Sequence, residues 1–199
     1  PLIFLLLTAA VFSFVNDDFV EDWLKNNSIT IQNNDSDILS IQEIENWPVI
    51  IVDFNGRNTN QATAINDAED MLIPHADDYF SQLSGGDVSV NVDVHQVMVT
   101  ATGSLSAYGS DNGVERDSSS DGTHLPMLLA EEVVTSTRNS INWNKYDLNG
   151  DGTVDRLLIL HTTIGQESGG NSNRIWSHFT TFENPVNLGD DLSVSHYAM

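Results

Sequence analysis

The chain has 199 residues, 40% of them hydrophobic, which suits one domain of ordinary size with a buried core. Its 29 acidic and 7 basic residues give a formal net charge of −22, which repels nucleic acid phosphates and anionic membranes and argues against binding to either. There is no cysteine, so thiolate metal sites, disulfide scaffolds and cysteine nucleophiles are excluded.

The N-terminus carries an apolar run over residues 1–12, followed by acidic residues from Asp17. The run is too short to span a bilayer and has the length of the hydrophobic part of a secretion signal. We interpret residues 1–15 as a truncated signal peptide, with a buried core helix as the alternative. Residues 16–46, rich in Asp, Asn and Ser, are interpreted as an acidic linker or a propeptide remnant. The expectation is a secreted protein without a stable membrane anchor.

The globular pattern begins at Trp47, so residues 47–199 are predicted to form the folded domain. Residues 48–54 are a continuous β-branched apolar run, typical of a strand buried on both faces. Residues 60–83 carry a helical stripe that Pro74 interrupts, and Gly85 and Gly86 end it. Valines then alternate with polar residues over 88–94, which predicts a half-buried strand.

Strands and helices also alternate in the second half of the chain. Residues 103–122 are rich in Gly, Ser, Asp and Asn and predict a long surface loop. A helix is predicted from Leu125, with Pro126 in its first turn, where a missing N–H is harmless. Residues 157–160 and 192–197 predict two further strands. Strands that alternate with helices indicate an α/β layered domain with helices packed on a sheet.

The strongest local motif is Asp-Leu-Asn-Gly-Asp-Gly-Thr-Val-Asp over residues 147–155. It places side-chain oxygens at loop positions 1, 3, 5 and 9, and a backbone carbonyl at position 7. Gly152 stands at position 6, where the chain must turn sharply around an ion. A hard cation binds several such oxygens at about 2.3–2.6 Å. The predicted calcium ligands are Asp147, Asn149, Asp151, Thr153 and Asp155.

This loop departs from the EF-hand pattern in two ways. Position 12 is Leu158 instead of a bidentate Glu, and the loop leads into a strand instead of a helix. A remaining ligand would have to come from elsewhere, and the acidic loop offers Asp117 or Asp121 as candidates. The alternative is an Asp/Asn/Gly-rich turn that binds no ion. We expect calcium, in a structural role.

Catalytic chemistry is not assigned to any residue. No histidine lies in an H-E-x-x-H arrangement, and His161, Glu167 and His178 form only a loose set around a strand end. Asp53 ends a buried strand, where a lone Asp more often caps a loop than catalyses. A three-ligand zinc site at His161, Glu167 and His178 is the less favoured alternative to unrelated side chains, and no zinc site can be assigned within the chain.

Several phrases in order along residues 47–199 together resemble the immune inhibitor A type of secreted zinc metallopeptidases (zincins), especially the marine microbial members. The phrases are residues 47–54, Tyr79-Phe80, residues 83–86, Tyr108-Gly109, residues 146–155, 157–161, 165–167 and 174–179. Each phrase alone is weak, and their order is specific.

The resemblance implies an α+β zincin-like N-terminal lobe with a mixed sheet, truncated before the active-site helix. Zincins carry H-E-x-x-H on a helix after an edge strand that binds the substrate, and residues 192–199 would be that strand or its approach. The complete protein would then be a zinc-dependent endopeptidase acting on proteins or peptides, with its zinc ligands and general base beyond residue 199. Glu167 and His178 match the family pattern, and we expect a hydrogen-bonding or loop-fixing role for both. The competing hypothesis is a non-catalytic extracellular calcium-binding adhesion or interaction module.

Overall fold

A six-stranded sheet lies at the centre of the fold. The computed structural model describes residues 42–199, so the expected signal peptide and most of the acidic segment 16–46 lie outside the described residues. The strands are β1 (Ile44–Asp53), β2 (Ser89–Val94), β3 (Val99–Thr100), β4 (Leu158–His161), β5 (Phe179–Gly189) and β6 (Leu192–Ala198). The α-helices are α1 (Gln61–Leu72), α2 (His75–Ser84), α3 (Leu105–Gly109) and α4 (Leu125–Thr137), and Trp143–Tyr146 and Gln166–Ser168 form short 3₁₀ turns.

The strand order is β2-β1-β4-β6-β5, and β3 pairs with the end of β1. β1 runs parallel to β2, β3 and β4, and β4 runs parallel to β6. β5 is antiparallel to β6, to which a tight turn at Asp190 and Asp191 connects it. Both turn residues have positive φ, as two-residue hairpin turns require. The sheet is therefore mixed, and the predicted α/β class is confirmed.

Helices cover both faces of β1. Ile50 and Val52 are fully buried in the main core with α4, which contributes Leu129 and Val133. Successive side chains of a strand point to opposite faces, so Trp47 lies on the other face, where its ring meets Phe80 of α2 edge-on at 5.3 Å. Burial on both faces explains why residues 48–54 read as a continuous apolar run.

The observed bounds refine the predicted ones. β1 begins at Ile44, before the apolar run, where it starts to pair with Ser89 of β2, and the charge of Glu45 is buried against Arg156. The helical stripe forms two helices, α1 and α2, that separate at Pro74, and Gly85 ends α2 in the left-handed conformation as predicted. The long loop 103–122 contains the short helix α3.

Residues 192–199 were expected to be the edge strand or its approach, and the first alternative is wrong. β6 lies between β4 and β5 in the described part of the chain, and β5 occupies that edge of the sheet. The sequence pattern did not reveal β5, since Pro185 and three Asn or Glu residues interrupt its alternation. β6 is thus an inner strand of the described sheet.

Within residues 42–199, no helix is both long and apolar enough to cross a membrane.

Gly109 allows α3 to pack directly on the chain segment that carries Ile175. A Cβ built on Gly109 would lie 2.6 Å from the Ile175 backbone nitrogen and 2.7 Å from the Arg174 carbonyl carbon. Since neither atom belongs to a flexible side chain, Gly109→Ala should lower the free energy of unfolding by about 2 kcal/mol, in the range of overpacking. Chemical denaturation would measure this loss.

Gly113→Ala provides the control. Gly113 has a φ of +90° and nothing within 4 Å of its missing Cβ, so this variant tests backbone conformation without a close approach. We expect a loss of about 1 kcal/mol for Gly113→Ala. Equal or smaller destabilisation by Gly109→Ala would contradict the close-packing explanation.

Candidate functional site

The loop 147–155 is folded around the side chain of Asp147. Its carboxylate accepts hydrogen bonds from the backbone N–H groups of Gly150, Asp151 and Gly152, at 2.8, 3.1 and 3.0 Å. These bonds turn the chain back on itself, so the acidic and amide side chains of the motif share one small volume. The predicted loop is therefore a defined turn in the structure.

The other motif side chains close the same turn. Asn149 Oδ1 accepts from the Asp151 N–H at 2.9 Å, and Asp151 Oδ1 accepts from the Thr153 N–H at 2.8 Å. Asp155 Oδ2 accepts from the Leu148 N–H at 2.6 Å, which joins the two ends of the loop. The side chains of alternate residues thus accept backbone N–H groups of the same loop, and this spacing of Asp and Asn is the one expected of a loop that binds a cation.

The loop is bonded to the start of β6. Ser193 donates its N–H to the Gly152 carbonyl and accepts the Val154 N–H at its own carbonyl, both at 2.9 Å. Gly152 has a φ of +84°, and a Cβ there would lie 2.7 Å from the Asp191 carbonyl oxygen. Gly152 is therefore required both for the turn and for the contact with the β5–β6 turn. His196 of β6 adds a bond from Nε2 to the Asp155 carbonyl at 2.9 Å.

Negative charge accumulates in this loop. Burial raises the pKa of the Asp155 carboxyl, and the neighbouring carboxylates of Asp151 and Asp147 raise it further. The Leu148 N–H and the charge of Arg156 act in the opposite direction. Three carboxylates in one loop repel each other, and a bound cation would relieve that repulsion.

The described residues do not contain a preformed metal cluster. Over residues 42–199, no group of three or more His, Cys, Asp or Glu side chains has a geometry that could hold a metal ion. A zinc ion therefore finds no fitting set of ligands in this part of the chain. The five predicted calcium ligands stay a prediction, because the side-chain oxygens of Asp147, Asn149, Asp151 and Asp155 accept backbone N–H groups in the described geometry.

His178 and Glu167 fix the loops that follow β4. The Trp176 carbonyl can only accept, so His178 Nδ1 donates to it at 2.8 Å, and His178 Nε2 accepts from the Tyr197 hydroxyl at 3.0 Å. The Glu167 carboxylate accepts from the Ser177 N–H at 3.2 Å and from its hydroxyl at 2.8 Å. The expected hydrogen-bonding role of both residues is confirmed.

Three further candidates have structural partners. The carboxylate of Asp53, 3% exposed, accepts hydrogen bonds from Arg57 Nε, the Thr59 N–H and the Thr162 hydroxyl. Asp53 therefore caps the loop after β1, as expected. Asp117 accepts the Trp176 N–H, so its carboxylate faces the loop after β4. Asp121 bonds Ser119 and Thr123 within its own turn.

A comparison with known protein families shows that this chain carries a peptidase domain. Residues 56–194 match the immune inhibitor A peptidase M6 catalytic domain. Because this match covers most of the chain, the chain belongs to the immune inhibitor A peptidase M6 family. It is 30% identical over 117 residues to immune inhibitor A of Bacillus thuringiensis subsp. alesti. The alignment covers 50% of this chain and 17% of that relative, so the chain spans about a sixth of the relative's length. The resemblance to the immune inhibitor A family is thereby confirmed, and the likeness to its marine microbial members stays a prediction.

Proposed function

We propose that this chain is the N-terminal part of the catalytic domain of a secreted zinc-dependent endopeptidase that hydrolyses peptide bonds in proteins. The observation that carries this proposal is the family match over residues 56–194. The chain has no H-E-x-x-H, and residues 42–199 have no cluster that fits zinc, so the zinc ligands and the general base are assigned to residues of the complete protein beyond 199. The 199-residue chain by itself is expected to be inactive.

Secretion and the kind of partner belong to the same proposal. The apolar run over residues 1–12 supports export. The net charge of −22 supports protein or peptide substrates over nucleic acids or anionic membranes.

The test is to extend the open reading frame past Met199 and to assay the complete protein on casein. We expect an H-E-x-x-H on an amphipathic helix and proteolysis that 1,10-phenanthroline abolishes. Replacing the Glu of that motif by Gln should abolish cleavage while the protein remains folded. Chelator-sensitive proteolysis by the 199-residue chain alone would refute its assigned inactivity. A complete protein with neither the motif nor proteolysis would instead support the calcium-binding adhesion module.

We further propose that the loop 147–155 binds a structural calcium ion. The ligands would be the side chains of Asp147, Asn149, Asp151 and Asp155 and the carbonyl of Thr153. Support comes from three carboxylates in one loop, from the positive φ of Gly152 and from the raised pKa of Asp155. A further ligand is best sought in the β5–β6 turn, which touches Gly152. The ion would fix the segment that leads into β4.

Calcium is expected to stabilise the protein through this loop. If the ion binds only the folded state, calcium at 100 times its Kd adds about 2.7 kcal/mol. Asp151→Ala should lose the calcium-dependent stabilisation that this loop contributes. The substitution removes an exposed carboxylate that accepts hydrogen bonds from the Thr153 N–H and from the Asn149 side-chain amide. The measurement is Tm with calcium and with EGTA.

The matched control is Asp87→Ala, which removes one exposed carboxylate elsewhere in the chain. This variant should respond to calcium as the wild type does. An identical calcium response in Asp151→Ala and the wild type would argue against an ion in this loop.

A further inference from the structure

Two buried oxygens outside the loop 147–155 have no hydrogen-bond partner among residues 42–199. They are Asp117 Oδ1 and Gln166 Oε1, each with almost no accessible surface. Asp117 as a whole is 2% exposed, and its other oxygen, Oδ2, accepts the Trp176 N–H at 2.8 Å. A buried carboxylate oxygen without a donor is costly, so its presence requires an explanation.

The two oxygens belong to one connected group, because Asp111 bridges their residues. Asp111 Oδ1 accepts the Asp117 N–H at 3.1 Å, and Asp111 Oδ2 accepts from Gln166 Nε2 at 3.0 Å. Two carboxylates and an amide oxygen therefore lie where the loop 103–122 meets the segment after β4. The Leu125 N–H bonds the Asp117 carbonyl at 2.7 Å, which fixes Asp117 at the start of α4.

The charges around Asp117 are mainly negative. Burial raises the pKa of Asp117 to about 6, and the carboxylates of Asp111 and Glu167 add to that rise. The Trp176 N–H and the charge of Arg116 oppose it, but the Arg116 guanidinium stacks over the Trp176 ring at 3.8 Å. The group thus lacks a cation that neutralises it directly, in the part of the chain described.

We propose that Asp111, Asp117 and Gln166 form a second cation site that takes a divalent ion of the calcium type. Asp117 Oδ1, the Asp111 carboxylate and Gln166 Oε1 are its protein ligands. An all-oxygen set suits calcium and not zinc, which favours nitrogen and sulfur. The site holds only two carboxylates, so water or backbone oxygens complete it. The ion would join the loop before α4 to the segment after β4.

The site is separate from the loop 147–155. On β6, His196 bonds the Asp155 carbonyl, whereas the next residue, Tyr197, bonds His178 and is close enough to Asp117 for their charges to interact. The two acidic groups therefore adjoin different residues of β6. Removing either group therefore leaves the other in place.

The experiment counts bound calcium ions by titration calorimetry of the 199-residue chain, with terbium luminescence as the second readout. The wild type should bind one ion at this site in addition to any in the loop 147–155. Asp117→Asn keeps the shape and removes the charge, so this ion should be lost or bound about tenfold or more weakly. Gln166→Met, at a half-buried position, should weaken the same ion by a similar factor. Trp176→Phe should remove the terbium emission excited through Trp176.

The outcomes separate this site from the loop. If the loop binds no ion and this site does, one ion is bound, Asp117→Asn loses it and Asp151→Ala retains it. If Asp117→Asn and Gln166→Met both keep the wild-type stoichiometry and affinity, the proposal is wrong. Far-UV circular dichroism verifies that each variant is folded.

Discussion

Replacing Arg156 by Met should lower the free energy of unfolding by about 3–5 kcal/mol, the usual cost of removing one partner of a buried ion pair. Arg156 Nε lies 3.1 Å from Glu45 Oε2, and Arg156 Nη2 donates to Glu45 Oε1 at 3.2 Å. Such a two-point contact fixes the guanidinium on the carboxylate. Glu45 is 2% exposed, so its charge cannot turn to water when its cationic partner is lost.

Urea unfolding at neutral pH measures this effect, and a second substitution identifies its cause. Glu45→Gln combined with Arg156→Met removes the buried charge and keeps an acceptor for the Trp47 indole N–H, which bonds Glu45 at 3.3 Å. The double variant should regain at least half of the lost stability. Arg138→Met, at an exposed position, is the control for loss of an arginine. Destabilisation of the double variant as large as that of Arg156→Met would exclude the ion pair as the cause.

Acid is expected to destabilise the fold through His178. Burial lowers the pKa of His178 to about 4, and the nearby His124 and His161 lower it further, whereas the Trp176 carbonyl opposes them. The unfolded state, with a pKa near 6.5, binds the proton first as pH falls. The contribution of the neutral His178 to the free energy of unfolding is therefore complete above pH 6.5. It decreases by about 3 kcal/mol as pH falls from 6.5 to 4.

His178→Gln should remove this part of the pH dependence. The measurement is the difference in free energy of unfolding between wild type and variant, from pH 7.5 to pH 4.5, in EDTA. The difference should shrink or reverse as pH falls, because only the wild type must keep an imidazole neutral in its folded state while the unfolded state binds a proton. That imidazole lies between the Trp176 carbonyl and the Tyr197 hydroxyl. A difference that is constant over this range would contradict the low pKa.

Asp117 has the opposite effect on the pH dependence of stability in the same pH range. Its pKa is raised from 3.8 to about 6 in the folded state, so its stabilising effect is complete below pH 3.8 and is lost as pH rises through 6. Asp117→Asn should therefore reveal a steeper loss of stability in acid than the wild type shows, also in EDTA. Parallel wild-type and variant curves would contradict the raised pKa.

The main elements could be predicted because their side chains repeat with the period of the backbone. β1, β2, β4, β6 and the α1–α2 break at Pro74 all follow from local patterns. β5 could not be predicted, because its register shifts between Thr181 and Val186 and it pairs on one side only among the described strands. β3 has two residues, too few to show any period.

One of the two candidate sites could be predicted from the sequence and the other could not. The loop 147–155 is visible in the sequence because all of its internal bonds join residues close together in the chain. The environment of Asp117 is not visible in the sequence, because it includes residues distant along the chain. The Asp117 carboxylate accepts the Trp176 N–H, and the Asp117 N–H bonds the Asp111 carboxylate, which also bonds Gln166. A local pattern identifies Asp117 only as one more residue in an acidic loop.

The interrupted register of β5 has a consequence for the behaviour of the protein at high concentration. An edge strand with a regular ladder of unpaired N–H and C=O groups invites a second copy to add to the sheet and start a fibril. In β5, Pro185 supplies no N–H, and the register shift around it divides the strand into two short segments. The exposed charge of Glu183 would be repelled by the same charge on an approaching copy. The strand that was hardest to recognise in the sequence is, for the same reasons, a poor template for aggregation.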